Sequence, residues 1–182
     1  IHIEDQESPK RCGHLDNKKV VGVEEMVPKI RAAVDARTDD DFTLIVRTDA
    51  LAVTGWDDTL RRCDAYVAAG ADLLFVEAIR SPEQAVELKR RFDVPLMYNF
   101  VETGKSPLLP VAVLEQLGFK LVIYPVSTLL ATVRAVGDTL RELRQQGTTA
   151  HLLGSMATLH EAFEAVGMSA HLELDAGYAW RG

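Results

Sequence analysis

Phe42-Thr43-Leu44-Ile45-Val46 runs into Arg47-Thr48-Asp49, and Leu73-Leu74-Phe75-Val76 runs into Glu77. Each is a short apolar stretch closed by polar side chains. Neither alternates, so both faces of each strand are expected to be buried, as in a parallel sheet covered by helices. The pattern recurs on both sides. Ile1 to Glu4 reads as a strand ending at Glu4-Asp5, Val94 to Tyr98 as one ending at Asn99, and Lys120 to Tyr124 as one ending at Pro125-Val126-Ser127. Helical periodicity fills the gaps. Glu24 to Ala36 sets Met26, Ile30, Ala33 and Val34 on one face; Asp57 or Asp58 can cap a helix that runs to Ala69 and stops at Gly70. Ser81-Pro82-Glu83 opens another, with proline at its tolerated first position. Pro110 to Leu117 stops at Gly118, Thr128 to Arg144 is the longest helix, and residues from Ala150 read as helical through Val166 and irregular after it.

A sheet of this kind is either open and doubly wound or closed as a (β/α)8 barrel, and periodicity alone does not separate them. The polar residues help. They fall at the C-terminal ends of consecutive strands, and side chains supplied by every strand end converge at the mouth of a barrel. Only five strands are found, and Ile1 begins inside one of them. The expectation is an α/β chain supplying the last five βα units of a (β/α)8 TIM barrel plus C-terminal helices. Residues 1–149 would be the C-terminal part of the catalytic domain, and 150–182 a helical segment lying between subunits.

Composition narrows the function classes. The chain has 182 residues, 47% hydrophobic and 26% charged, which suits one globular domain. A net charge of −7 argues against a nucleic-acid or anionic-membrane surface. No stretch reaches the roughly 20 apolar residues that span a bilayer. Cys12 and Cys63 make no disulfide framework, which points to a reducing, cytoplasmic setting. Cys63 lies inside an amphipathic run and reads as a packed hydrophobe.

Cys12 is different. In Pro9-Lys10-Arg11-Cys12-Gly13-His14 the thiol is flanked by Lys10, Arg11 and His14, and positive potential favours thiolate. Gly13 lets backbone approach a ligand closely or adopt positive φ. Glu4 and Asp5, adjacent on a strand, point to opposite sides, so only one can enter the mouth. Arg47 emerges where a buried strand meets the pocket and suits bidentate binding of a carboxylate or phosphonate, with Asp49 to orient it. Glu77 can accept from a substrate hydroxyl or a metal-bound water, and Asn99 offers an amide donor. His2 shares Glu4's face; His151, His160 and His171 have no ligand spacing and read as surface residues. Glu102-Thr103-Gly104-Lys105-Ser106-Pro107 looks like part of a phosphate loop but has Asn99 where the leading glycine is needed, so nucleotide binding is rejected.

Ile3-Glu4-Asp5-Gln6 with Lys10-Arg11-Cys12-Gly13-His14 closely resembles the signature of the isocitrate lyase/phosphoenolpyruvate mutase superfamily. The resemblance continues through Arg47-Thr48-Asp49-Ala50, Phe75-Val76-Glu77-Ala78, Asn99 to Pro107 and Tyr124-Pro125, nearly the whole chain. It looks most like the carboxyphosphonoenolpyruvate mutase-like, dimethylmalate lyase-like and methylisocitrate lyase-like branch. The resemblance implies a TIM barrel and a Mg²⁺ site (Mn²⁺ possible) to which Glu4 contributes, while Asp5 supports the loop. It implies substrate contacts from Gly13, His14, Arg47, Glu77 and Asn99, with Cys12, Glu77 and Arg47 catalytic. It implies a lyase that cleaves or forms a carbon–carbon bond in a 2-hydroxy or 2-keto dicarboxylic acid through an enolate. A phosphonomutase, an oxaloacetate hydrolase or decarboxylase, or an inactive fragment are the alternatives. In methylisocitrate lyases an arginine follows the Tyr-Pro strand end; Leu130 stands at the matching position, which favours a substrate with fewer carboxylates. The expected partners are a small carboxylic acid and further copies of the chain, as a homodimer or homotetramer. Leu152, Leu153, Met156, Leu159, Phe163 and Val166 form the stripe expected to be buried there.

Overall fold

A computed structural model describes residues 1–178. Five strands, β1 (His2–Glu4), β2 (Ile45–Thr48), β3 (Leu73–Val76), β4 (Leu96–Asn99) and β5 (Phe119–Ile123), form one parallel sheet in the order β1-β2-β3-β4-β5. Strand order never reverses, so the doubly wound alternative falls, and the order is that of a barrel wall. Register sets Glu4 beside Arg47 and Arg47 beside Phe75, which aligns the polar strand ends along one rim.

Helices α1 (Val23–Asp35), α2 (Ala50–Val53), α3 (Trp56–Ala68), α4 (Pro82–Arg91) and α5 (Val111–Gln116) connect the strands. Met26, Ile30, Cys63, Tyr66, Leu74, Leu88 and Leu114 build the core between sheet and helices, while Leu73, Phe75 and Met97 pack on the other face. Both faces of β3 are thus buried, as its unbroken apolar run implies, while His2 of β1 and Lys120 and Leu121 of β5 are exposed. Burial pushes the Cys63 thiol well up, in keeping with a packed, inert side chain.

Three local expectations are corrected. The second strand is not Phe42–Val46: Phe42 is exposed, and the Leu44 N–H is spent on Asp72 Oδ2 at 2.8 Å, so the ladder takes Ile45–Thr48 instead. Neither Asp57 nor Asp58 caps α3. Gly55, at φ 92°, is the N-cap, and the two acids sit in the first turn, where Asp58 is drawn to Thr54, Arg61 and Arg62. Ser81 does cap α4, its Oγ accepting from the Gln84 N–H at 3.4 Å, and Gly70 and Gly118 turn left-handed after α3 and α5 as expected.

The chain divides into two compact units, Ile1–Leu129 and Leu130–Gly182. The sheet lies in the first. Helix α6 (Ser127–Gln146) leads into the second, which continues with a 3₁₀ turn (Ala150–Ser155), α7 (Leu159–Ala165) and α8 (Met168–Tyr178). The third correction is here. Ala150 to Val166 is not one helix, because Thr158 starts a new one through a reciprocal bond pair with Glu161; nor is the rest irregular, since α8 follows Gly167. No helix among the described residues is long and apolar enough to cross a membrane.

Candidate active site

The loop between β1 and α1 folds back over the rim. Its neck is an antiparallel bridge, Gln6 to Val20, flanked by Glu7 N–H to Lys19 O at 3.0 Å and Val21 N–H to Asp5 O at 2.8 Å. Gly13 rests on the strand-end residues so closely that a Cβ there would lie 2.3 Å from Glu77 Cγ and 2.6 Å from Arg47 Nη2. Cys12, the next residue back, is exposed. A glycine is needed by contact, not by φ.

Arg47 is the centre of charge. Its Nε lies 3.0 Å from Glu4 Oε2 and 2.8 Å from Asp49 Oδ2, and its Nη1 lies 3.0 Å from Glu77 Oε2. The guanidinium also stands 4.9 Å from the centroid of the Phe75 ring. Burial disfavours its charge, but Asp49, Glu77 and Glu4 together outweigh that and hold it firmly protonated. Asp49 orients Arg47 as expected; beyond expectation, Glu4 and Glu77 join it, so three carboxylates meet on one cation.

His14 docks across the rim. Its Nδ1 accepts from the Lys105 backbone N–H at 2.9 Å, which assigns the proton to Nε2. That Nε2 is 3.0 Å from Glu77 Oε1, yet off the line needed for a hydrogen bond, and is buried without a partner among the described residues. Burial lowers the imidazole's pKa more than the Glu77 carboxylate raises it, and Lys18, Arg47 and Lys105 lower it further. Gly104 leaves room for the ring: a Cβ there would be 2.6 Å from His14 Nδ1. Asn99 turns its amide nitrogen onto Glu77 Oε2 at 3.2 Å, so its donor is spent inside the protein and its buried Oδ1 is the unpartnered atom.

Asp5, on the opposite side from Glu4, is fully buried and supports the site from beneath. Its Oδ2 accepts from Thr48 Oγ1 at 2.7 Å, Tyr66 OH at 2.8 Å and Arg62 Nη1 at 3.2 Å; its Oδ1 accepts from the Asp49 N–H at 2.9 Å. Burial pushes its carboxyl up despite these donors. Arg62 also donates to Val21 O at 2.8 Å, fixing the loop's exit.

Two cations escaped the sequence reading. Lys18 looks solvated beside Lys19, but its side chain is 1% exposed and donates to Gly13 O, 3.4 Å from Asp49 Oδ1. Nothing in its neighbours signals this. Arg62 had a signal: Asp58, Arg62 and Tyr66 stand at i, i+4, i+8, one helix face carrying a network. Glu102, in the loop after β4, bonds Ser127 Oγ through one oxygen and buries the other unpartnered. Backbone in the left-handed region marks the same rim, at Ala78 (φ 57°) and Thr103 (φ 62°). His2 stacks on Phe75 at 6.1 Å without entering the network, and His151, His160 and His171 are exposed.

For a hard cation the chain offers Glu4. Its oxygens are held by Lys10 Nζ at 3.2 Å and Arg47, and no cluster of three His, Cys, Asp or Glu side chains is placed to hold a metal among the described residues. Mg²⁺ accepts one or two carboxylates and keeps several waters, so Glu4 fits as one ligand of such a site.

The chain that builds this rim is similar to known proteins. Residues 1–144 match the family described as phosphoenolpyruvate phosphomutase. The chain belongs to the phosphoenolpyruvate mutase/isocitrate lyase superfamily. It is 43% identical to 2-methylisocitrate lyase of Escherichia coli (strain K12) over 166 residues, 91% of this chain and 56% of that protein. It is 41% identical to 2,3-dimethylmalate lyase of Eubacterium barkeri over 182 residues, 98% of this chain and 62% of that protein. Oxaloacetate acetylhydrolase bound to 3,3-difluorooxalacetate superposes with a TM-score of 0.86 at 40% identity, covering 97% of this chain and 60% of that one. Phosphonopyruvate hydrolase with oxalate and Mg²⁺ gives 0.77 at 30% identity, covering 98% and 62%. The chain therefore spans little more than half the length of the curated relatives it matches, and its parallel sheet belongs to their TIM-barrel fold class.

Proposed function

We propose that the full-length protein is a lyase that cleaves or forms a carbon–carbon bond in a 2-hydroxy or 2-keto dicarboxylic acid, with Cys12 as general acid and base. One observation supports this above others: the loop brings Gly13 onto the Arg47–Glu77 pair, and the exposed Cys12 is the residue next to it in the chain. A substrate carboxylate entering there pairs with Arg47, competing with Glu4 and Glu77 for its donors. Glu77 accepts the proton of the substrate hydroxyl, the carbon–carbon bond breaks, and the hydroxyl carbon becomes the carbonyl of a keto acid. The electron pair stays on the second fragment as an enolate, and Cys12 delivers its S–H proton to that carbon. Exchange with solvent then takes the proton from Glu77 and returns one to Cys12. Gly13 and His14 close the loop over the substrate and exclude water, and the free Asn99 Oδ1 receives a substrate donor. Mg²⁺, or Mn²⁺, held in part by Glu4, supplies a Lewis acid for the oxygen on which charge develops.

Leu130 brings no cation where the resemblance expects one, and a carboxylate left unpaired in a closed site is costly, so an alkylmalate or oxaloacetate fits better than a tricarboxylate. The likeness to oxaloacetate acetylhydrolase favours a second reading, hydrolysis of oxaloacetate, and the family match keeps a phosphonate substrate in view. Turnover of dimethylmalate, oxaloacetate, methylisocitrate and phosphonopyruvate by full-length protein ranks these readings. Cys12→Ser should lose at least about 10²-fold in kcat, the lower range for a positioned acid–base group, with Cys63→Ser little changed. A fully active Cys12→Ser removes the thiol from the reaction, and full activity in exhaustive chelator removes the metal.

The assembly proposed is a homo-oligomer, a dimer or tetramer, that covers the apolar stripes of α6 and the segment after it. Light scattering of full-length protein and of a form ending at residue 149 tests it. A monomer, or an unchanged mass after truncation, refutes the role given to that segment.

A further inference from the structure

We infer that Lys18 is the latch of the thiol loop, a positioning residue that holds Gly13 against Arg47 and Glu77 and so fixes where the neighbouring Cys12 stands. The inference rests on the reading of Cys12 as acid and base only for what is positioned; the latch itself stands on geometry. Lys18 and Lys19 are neighbours, yet the Lys19 side chain is 77% exposed and that of Lys18 is 1% exposed. Burying an ammonium is unfavourable unless it is paired and hydrogen-bonded. Lys18 has two partners, and they belong to different parts of the fold. One is the carbonyl of Gly13, at the part of the loop that meets the rim; the other is Asp49 Oδ1, just past the end of β2, at 3.4 Å. Lys18 itself lies on the returning limb, two residues before the bridge that closes the neck.

The ammonium is therefore well placed only while the loop is down. Lifting Gly13 off the rim takes away the carbonyl and leaves a buried cation facing Asp49 alone. Asp49 also grips Arg47 through Nε at 2.8 Å and Nη2 at 3.2 Å, so the latch bears on the same carboxylate that aims the guanidinium. A second clasp acts further along the loop: His14 takes the Lys105 N–H and Asp16 takes Lys105 Nζ at 2.6 Å, but that ion pair is exposed and weak. Lys18 supplies the buried one.

Trypsin reads the latch directly, because Arg11 is exposed and sits in the loop one residue before Cys12. In full-length protein, Lys18→Met should be cut after Arg11 at least tenfold faster than wild type and should lose at least tenfold in kcat, with a smaller change in KM. Lys18→Gln, which keeps a donor for Gly13 O but no charge for Asp49, should fall between the two. Lys19→Met should match wild type in both respects. Wild-type cutting rates in Lys18→Met overturn the latch; if that variant does not fold, wild-type rates in Lys18→Gln overturn it. Cys12→Ser separates the two ideas. It should keep slow cutting while losing turnover, and if it stays active the thiol reading falls while the cutting rates still decide the latch.

Discussion

At the rim of the sheet Glu4, Asp5, Arg47, Asp49 and Lys18 find charged partners within the chain; along α6 not one residue is buried. The rim is built of costly groups that satisfy one another. Helix α6 is built of inexpensive ones left facing outward: Leu129, Leu130, Val133, Val136, Leu140 and Leu143 repeat at helical spacing and are all at least 43% exposed. Charged networks tolerate little change, because removing one member strands another. An apolar stripe tolerates much until something covers it. The first region's sequence is thus set by its own partners; under the proposed assembly, the second's is set by further copies of the chain.

The largest effect is expected beneath the rim. Arg62→Met leaves the fully buried Asp5 without its cation and should cost about 3–5 kcal/mol in urea unfolding. Replacing Asp5 by Asn in the same protein should return part of that loss. A cost below about 1 kcal/mol, as for an exposed pair, would break the contrast.

Gly13→Ala comes next. Its methyl has no room between Glu77 and Arg47, and a displacement of about 1 Å at a reacting centre costs roughly 10²-fold in kcat. Gly154→Ala, in the second unit, meets nothing within 4 Å and should leave turnover unchanged. Equal activity of the two variants would mean that the loop does not sit on the rim during turnover.

Val133→Lys sharpens the other side. On a helix that stays exposed it should change stability by less than about 0.5 kcal/mol. If the α6 stripe is covered in an oligomer, as proposed, the same substitution should cost about 1.5–3 kcal/mol and lower the mass seen by light scattering.

The smallest effect is a pH dependence at the outer end of the Asp5 network. Burial works to raise the Asp58 carboxyl, but bonds from Thr54, Arg62 and Arg61 outweigh it and hold the group at about 2, below its usual 3.8. A depressed carboxylate contributes stability above the unfolded value that is lost as pH falls toward the folded one. Thermal stability should therefore decline between about pH 4 and pH 2, and Asp58→Asn should flatten that part of the profile.

Much of this was legible in the chain. Continuous apolar runs closed by Glu4-Asp5, Arg47-Thr48-Asp49, Glu77 and Asn99 imply a parallel sheet with its polar groups on one rim, because burial on both faces leaves charge nowhere else to emerge. Gly13 and the Asp49–Arg47 pair followed from residue type and spacing. Lys18 was not legible: Lys18-Lys19 is symmetrical as text, and only the folded neck puts one ammonium in and the other out. Glu4 and Glu77 read as groups for ligands from outside, yet register sets Glu4 beside Arg47 and the Glu77 side chain reaches the same guanidinium from just past β3. The helix expected over Ala150 to Val166 failed because apolar periodicity ran through a point where Thr158 and Glu161 start the backbone afresh.

Sequence by itself determined the parallel α/β class, the polar strand ends, the thiol loop and the family, since each depends on local pattern and residue chemistry. Tertiary structure alone decided which charges meet: Arg62 under Asp5 from 57 residues away, Lys18 beside Asp49, and His14 against Lys105 across 91 residues. Electrostatic pairing acts through space over a few ångströms, and separation along the chain carries no measure of that distance.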